Sequence, residues 1–287
     1  MATLKQIRAR IKAAKNIQQI TKAMKLVAAA RLKKATDRVL EARPYADKMR
    51  DVMRSLSESG DLPPHPLMDK RIIKSATLIL VTSDRGLAGA YNTSLLRKSS
   101  DFVREAGYPV SMITVGKKGT TFFTKRKYDV VHTITVPSSG ARLSDAVELA
   151  KFARERFESG ETDAIFVCYA KFFSAIRQVP QAIQLLPIEA PVAEGAKAGN
   201  GLPFSFEPNA EEVLGALLPR YFLTLVWQAL LEATASEFGA RMTAMTSATD
   251  NAGKMITKLT LTANRERQAS ITKEILEVVG GAEALRS

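Results

Sequence analysis

The stretch ATLILVTSDRG, residues 76–86, decides the fold. It is an apolar, β-branched run that ends in Asp-Arg-Gly, the pattern of a buried strand followed by a turn. A helical stretch follows from about residue 92 to residue 105 and stops at the Gly-Tyr-Pro of residues 107–109. The sequence therefore predicts the first strand and helix of an α/β domain.

The same alternation continues toward the carboxyl terminus. We predict strands at 110–115, 130–136 and 164–169, helices at 118–127 and 143–158, and a last strand pair or edge strand within 176–188. Strands that alternate with helices of this length indicate a mainly parallel sheet. We assign residues 72–190 to a central, Rossmann-like α/β domain.

Before this domain, apolar or small residues recur in steps of three and four over some 50 residues, which predicts one long helix over residues 1–58. Gly60 and the prolines at 63, 64 and 66 end it. The expected buried stripe includes Ala14, Ile17 and Ile20. Because these steps break a strict seven-residue repeat, we expect a departure from an ideal supercoil.

After the domain, residues 191–208 are rich in Pro, Gly and Ala and are predicted to be a linker. A second helical region, 209–287, follows. In it we expect a short helix and then a new helix with Pro219 in its first turn, with no breaker before Gly280 except Gly239 and Gly253. About 60 helical residues span roughly 90 Å, so we expect this helix to project. The two terminal helices are predicted to pair as an antiparallel coiled coil with many small residues in its seam.

The chain carries a net charge of +13, and its first 56 residues hold 15 bases and 4 acids, which is +11 of that total. Ten bases run from Lys5 to Lys34 before the first acid, Asp37. Such a helix favours an acidic protein, a phosphate backbone or anionic lipid as its partner. The stretch resembles a mitochondrial transit peptide in charge, but it lacks serine and its stripe continues past residue 50.

Catalytic and metal chemistry find little support in the sequence. One cysteine, Cys168, and two histidines give neither a disulfide nor metal-ligand spacing, so we expect no cofactor or metal. The chain has no run of 18 apolar residues and no secretory signal, which predicts a soluble or peripheral protein. Gly86 and Gly89 do not complete a G-x-G-x-x-G, so a tight turn is favoured over a phosphate site. No nucleophile, base and carboxylate can be assembled.

Three segments resemble F-type ATP synthase gamma subunits. The first is Ile7-Arg8-x-Arg10-Ile11 with residues 20–29 (ITKAMKLVAA), and the second is residues 82–87 (TSDRGL). The third comprises residues 235–252 and the terminal signature from Asn264 to Ala282. Ala88 and Ala90 depart from many relatives, which have Cys and Gly there, and the cysteine-bearing regulatory insertion of chloroplast relatives is absent.

The resemblance implies a rotor subunit of the central stalk, present once per complex, with no active site of its own. Its implied partners are the hexameric ring of alpha and beta subunits, the epsilon subunit and the c-ring of the membrane sector. It implies a peripheral position on the cytoplasmic side of a bacterial inner membrane and no nucleic acid as partner. The expected subunit contacts are Met24, Lys25, Arg85, Arg267, Gln268, Thr272, Glu274 and Glu277.

Two other classes of protein remain as alternatives. A nucleic-acid-binding coiled coil would explain the basic helix, although aromatic residues do not interleave with the bases. A nucleotide-dependent enzyme would explain the α/β domain, although both glycine fingerprints are missing. Retention on DNA that depends on salt would favour the first, and saturable nucleotide binding would favour the second.

Overall fold

The computed structural model describes residues 3–58, 63–189 and 209–284. In chain order the elements are α1 (Leu4–Glu58), a 3₁₀ turn (Pro66–Met68), β1 (Ala76–Val81), α2 (Tyr91–Glu105), β2 (Val110–Val115), α3 (Lys117–Lys125), β3 (Val130–Ile134), α4 (Leu143–Glu158), β4 (Ala164–Phe172), β5 (Gln178–Leu186) and α5 (Ala210–Ala284). The chain divides into two compact units, one of residues 28–241 and one of residues 1–27 with 242–287. Helices α1 and α5 contribute residues to both units.

The unit of residues 28–241 contains the five-stranded sheet, in the order β3-β2-β1-β4-β5. The pairs β1–β2, β1–β4 and β2–β3 are parallel, and β5 is antiparallel to β4. The predicted α/β fold with a mainly parallel sheet between long terminal helices is confirmed. The stretch 176–188, expected as a strand pair or an edge, contains the single edge strand β5.

Alternation along the central strands divides the core into two layers. Leu78, Leu80 and Met112 face one side of the sheet, where Leu95 of α2 and Phe123 of α3 cover them. The intervening residues face the other side, together with buried side chains of α1, α4 and α5; this layer includes Ile79, Val81, Ile113, Met53, Phe157 and Phe222. Because β1 is covered on both faces, all six of its residues are buried.

The second long helix, α5, starts earlier than the sequence predicted. It runs without a break from Ala210 to Ala284, with Pro219 inside it rather than in its first turn, and it continues past Gly280. Leu214, Leu218 and Phe222 are all buried on the same side, so one apolar face extends across the proline. Packing of that face offsets the backbone hydrogen bond that Pro219 cannot donate.

The buried positions of α1 also differ from the expected stripe. Ile7, Ala14, Thr21, Ala28 and Ala35 are buried, a strict seven-residue spacing, while Ile17 and Ile20 are 54% and 59% exposed. The prediction that Ile17 and Ile20 belong to the stripe is wrong. Ile20 lies about 120° around the helix from Ala14, since successive residues turn by about 100°.

The pairing of the helices is visible in the unit of residues 1–27 and 242–287. The Thr249 hydroxyl lies 2.9 Å from that of Thr21. One turn away, a Cβ on Gly253 would lie 3.0 Å from the Gln18 side-chain amide nitrogen. From the first contact to the second, the residue number decreases on α1 and increases on α5. The two helices are therefore antiparallel, as predicted.

By length and composition alone, Glu211–Ala282 of α5 could cross a membrane, with a best window of mean hydropathy 1.4. Within the chain, 44% of that window is buried. A core helix passes the same test, and the buried face of α5 accounts for much of its apolar content.

Candidate functional site

The first candidate feature is the loop that joins β1 to α2, residues 82–90. Its base is fixed by Asn92, whose side-chain oxygen accepts from the Ser83 amide at 3.1 Å. Its tip bears Leu87, which is 63% exposed and has a positive φ of 63°. An apolar residue in this backbone conformation is uncommon and costs energy, so the loop presents its tip at the expense of local strain.

The loop fills the place where an α/β domain would hold a phosphate. Helix α3 begins at the carboxyl end of β2, where its free amides would attract an anion. The Lys117 amide instead donates to the Asp84 carboxylate at 2.9 Å, and the Gly119 amide donates to the Thr82 hydroxyl at 2.9 Å. The Lys118 amide donates to the Ser83 carbonyl at 3.2 Å. The helix terminus is therefore capped by the protein's own groups.

Helix α5 holds the loop from the other side. Arg241 donates from its guanidinium to the carbonyl oxygens of Arg85 and Gly86, both at 3.4 Å. The same guanidinium pairs with Glu237 at 2.5 Å. Burial raises the pKa of Glu237, while Arg241 acts in the opposite direction. Sequence spacing did not reveal this contact, because its partners are 156 residues apart.

A cleft of about 210 Å³ lies beside this contact and is lined by cations from several elements: Arg31 of α1, Arg85 of the loop, Lys117 of α3 and Arg241 of α5. The Arg31 guanidinium also lies 5.8 Å from the centre of the Phe238 ring. The side chain of Arg85 is exposed, whereas its carbonyl is held by Arg241. Asp84 and Glu237 also line the cleft, and Glu237 pairs with Arg241, so the four cations leave an excess of positive charge on this side of the loop.

The basic part of α1 carries charge that the chain does not neutralise. In the described stretch 3–36, none of the ten bases forms a salt bridge, and the first such pair along α1 is Asp47–Arg50. Isolated salt bridges on a surface are weak, but ten unpaired like charges create a strong local field. This surface favours a partner rich in carboxylates.

The carboxyl-terminal end of α5 is the second candidate feature. Every side chain from Arg267 to Ala282 is exposed, and the apolar ones recur at helical spacing: Ile271, Ile275, Leu276, Val278 and Val279. An uncovered helix is marginal in water, and helical stability in proteins comes mainly from packing of an apolar face. This end of α5 is therefore a helix whose apolar side chains are not covered by the described parts of the chain.

The predicted contact residues fall in different places. Met24 and Lys25 are half-buried on α1, next to the buried Thr21, and Arg85 is exposed on the loop. The remaining five, all exposed on α5, are Arg267, Gln268, Thr272, Glu274 and Glu277. Arg85 belongs to the unit of residues 28–241, and the other seven belong to the unit of residues 1–27 with 242–287.

Those five residues do not share one face of α5. Arg267 and Glu274 lie seven residues apart, nearly one above the other, whereas Gln268 and Thr272 lie about 100° and 140° around from Arg267. Glu277 lies 3.6 Å from Lys273 on its own helix, and Glu274 accepts from Ser270 at 3.3 Å. The candidate residues therefore surround the helix, a distribution suited to a partner that encloses it.

Comparison with known proteins shows the family of this chain. Residues 3–285 match the ATP synthase family. The ATP synthase gamma chain of Brevibacillus brevis is 46% identical over 284 residues, 98% of each chain, and that of Moorella thermoacetica is 46% identical over the full length of both. The chain belongs to the ATP synthase gamma chain family.

Chains from solved structures of mitochondrial ATP synthases share the fold. The central stalk and c-ring structure of the Tetrahymena thermophila mitochondrial ATP synthase matches 80% of this chain and 99% of that one, with a TM-score of 0.61 and 25% identity. A chain of the Euglena gracilis mitochondrial ATP synthase matches 98% of this chain and 94% of that one, with a TM-score of 0.71 and 21% identity. As a gamma chain, the protein is a subunit of the ATP synthase complex and part of its central stalk.

Proposed function

We propose that this gamma chain is the rotating shaft of the complex, which couples ion flow through the membrane sector to ATP synthesis or hydrolysis in a ring of alpha and beta subunits. The exposed carboxyl-terminal end of α5 is the observation that carries this proposal. A helix with apolar and charged side chains all around it is suited to a sleeve formed by other subunits.

The positive charge of α1 supports the inference that the surrounding subunits present acidic residues to it. Its ten bases between Lys5 and Lys34 have no salt-bridge partner in the described stretch 3–36. Long-range attraction of this kind requires no single register, so it persists while the shaft turns. We infer that Met24 and Lys25 contact an acidic segment of beta, that Arg85 makes a contact near the loop, and that the five residues of α5 contact the ring.

Coupling follows from asymmetry. A pair of antiparallel helices, different in sequence, presents a different surface in each direction. In a threefold ring it therefore contacts each beta subunit differently, and a contact can shift an equilibrium only if it differs between states. Rotation would move each beta subunit through the three contact states in turn.

We propose that the chain carries no catalytic residue and acts only through these contacts. The capped amino terminus of α3 supports this, because the groups that would bind a phosphate there already bind Asp84, Ser83 and Thr82. We further propose contacts with epsilon and the c-ring and a position on the cytoplasmic face of a bacterial inner membrane, as its bacterial relatives support.

The test is reconstitution. The ATPase activity of purified alpha and beta subunits is measured with and without the chain, and a bead attached to the α/β domain reports rotation. We expect stimulation of hydrolysis and directional stepping in thirds of a turn. Failure to assemble or stimulate while the chain is folded would refute the shaft. Salt-dependent retention of the folded chain on DNA would then favour a nucleic-acid-binding coiled coil.

A further inference from the structure

The hairpin between β4 and β5 ends in an apolar, basic tip, residues 173–177. Ile176 is 85% exposed and Phe173 is 51% exposed. The stretch from Ala170 to Ile188 contains no acid, and it contains two cations, Lys171 just before the tip and Arg177 at its end. A large apolar side chain this exposed on one rigid projection is a candidate contact with another molecule.

The tip is rigid because its own hydrogen bonds close it. The Ser174 hydroxyl accepts from the amides of Arg177 at 3.1 Å and Ile176 at 3.3 Å. The Arg177 carbonyl accepts from the amides of Phe173 at 3.2 Å and Ser174 at 3.1 Å. The Gln178 side chain donates to the carbonyls of Ser174 at 2.9 Å and Ala175 at 2.8 Å. Such a tip loses little conformational freedom on binding.

Helix α5 supports the tip from behind. A Cβ on Gly239 would lie 3.3 Å from the Cα and from the carbonyl oxygen of Ala175, so the glycine permits close approach of the hairpin. Three residues earlier, the Ser236 hydroxyl donates to the carbonyl of Ala170 at 2.8 Å in a buried contact. The support places the exposed side chains of the tip on a fixed base rather than on a loose loop.

The cations of the tip are already positioned around its aromatic ring. The Arg177 guanidinium lies 4.8 Å and the Lys171 ammonium 5.6 Å from the centre of the Phe173 ring. Neither cation forms a salt bridge in the described parts of the chain, residues 3–58, 63–189 and 209–284. Both remain available to carboxylates of a partner, with the apolar side chains between them.

We propose that this hairpin is a separate docking element that inserts Ile176 and Phe173 into an apolar depression bordered by carboxylates on a subunit of the alpha and beta ring. The inference rests on the proposed function, since it takes the ring as the source of the acidic surface. It adds a contact outside the helix pair, on an element that the sequence patterns did not single out.

The structure supplies a matched control for the test. Ile72 is 84% exposed, nearly the same as Ile176, but lies in the segment before β1. Ile176→Ser and Ile72→Ser therefore remove the same exposed side chain from two places. Thermal unfolding of both isolated variants is expected to equal that of the parent chain, because neither side chain is buried.

The readout is the chain concentration that gives half-maximal stimulation of ATP hydrolysis by purified alpha and beta subunits. We expect Ile176→Ser to raise it about tenfold, the effect of losing one buried aliphatic side chain, and Ile72→Ser to leave it unchanged. Arg177→Gln should raise it less and weaken its dependence on salt. Equal values for Ile176→Ser and Ile72→Ser would overturn the proposal.

A photo-crosslinking amino acid placed at position 176 in the complex isolated from cells identifies the occupant. A crosslink to an acidic segment of alpha or beta supports the proposal. A crosslink to lipid, to epsilon or to a second copy of the chain, or no crosslink at all, refutes it. This readout does not depend on reconstitution. If the parent chain fails to stimulate hydrolysis, the proposal of a rotating shaft is refuted, but the crosslink still tests the proposal for the hairpin.

Discussion

The guanidinium of Arg241 on α5 donates to the main-chain carbonyl of Arg85 at 3.4 Å, across 156 residues of sequence. The same side chain pairs with Glu237 and is only 11% exposed. Arg241 thus fixes the loop that bears Arg85. The exposed side chain of Arg85 is positioned by a contact with a residue that is distant in the sequence.

Arg241→Met is expected to destabilise the chain by about 2–4 kcal/mol, because it leaves a largely buried Glu237 without its cation. Urea unfolding of the purified chain measures this. Arg220→Met, at an exposed position on the same helix, is the control and should change stability by less than about 0.5 kcal/mol. Adding Glu237→Gln to Arg241→Met should recover part of the loss; if it does not, the uncompensated carboxylate is not the cause.

The Glu237 carboxyl should make stability depend on pH. Burial raises its pKa above the ordinary 4.5, so the folded state binds the proton more tightly than the unfolded state does. The contribution of Glu237 to stability therefore falls as pH rises from about 4.5 through the raised value. In urea unfolding between pH 4 and pH 7, the difference between the parent and Glu237→Gln should change across that range. A constant difference would contradict the assignment.

Gly116→Ala should be far more destabilising than Gly107→Ala. Both glycines have positive φ, 90° and 71°, so an alanine is strained at either position. At Gly116 the new Cβ would also lie 2.2 Å from the Thr82 carbonyl oxygen, whereas at Gly107 nothing lies within 4 Å. We expect an additional loss of about 1–3 kcal/mol at position 116, measured by thermal unfolding. Equal losses at both sites would show that the space beside Thr82 is not restricted.

Replacing two isoleucines of α1 should have different effects: one on the stability of the isolated chain and the other on assembly with other subunits. In the isolated chain, Ile7→Ala should cost about 2–3 kcal/mol because Ile7 is buried, while Ile17→Ala at an exposed position should cost less than about 0.5 kcal/mol. If the ring encloses this helix, Ile17→Ala should weaken assembly with alpha and beta subunits. Normal assembly of Ile17→Ala would place Ile17 outside the sleeve.

Met24→Lys is expected to weaken coupling without unfolding the chain. The half-buried Met24 is followed by the half-buried Lys25, and a second cation there would strengthen attraction to an acidic segment and hinder its release during rotation. ATP-driven proton pumping should fall relative to ATP hydrolysis in membrane vesicles. Met24→Leu keeps the apolar side chain and serves as the control, and unchanged pumping in Met24→Lys would remove Met24 from the proposed contacts.

Much of the fold could be predicted because its strands and helices follow from sequence patterns of neighbouring residues. The run at 76–86 predicted β1 and its turn, and the three- and four-residue steps before residue 58 predicted α1. The sequence could not decide whether 176–188 forms a pair or one edge, since strand pairing depends on neighbours distant in the chain. Pro219 predicted a helix start, but packing on both sides of it kept α5 continuous.

The order of strands and helices, the length of α1, the excess of positive charge and the motifs of the gamma chain family were determined by the sequence alone, because each resides in periodicity, composition or contiguous residues. Tertiary structure alone decided which apolar positions are buried, as the contrast between Thr21 and Ile20 illustrates. It also decided that Asp84 caps α3 and that Arg241 holds Arg85. Those outcomes depend on which surfaces meet after the chain folds, and no local pattern specifies such a meeting.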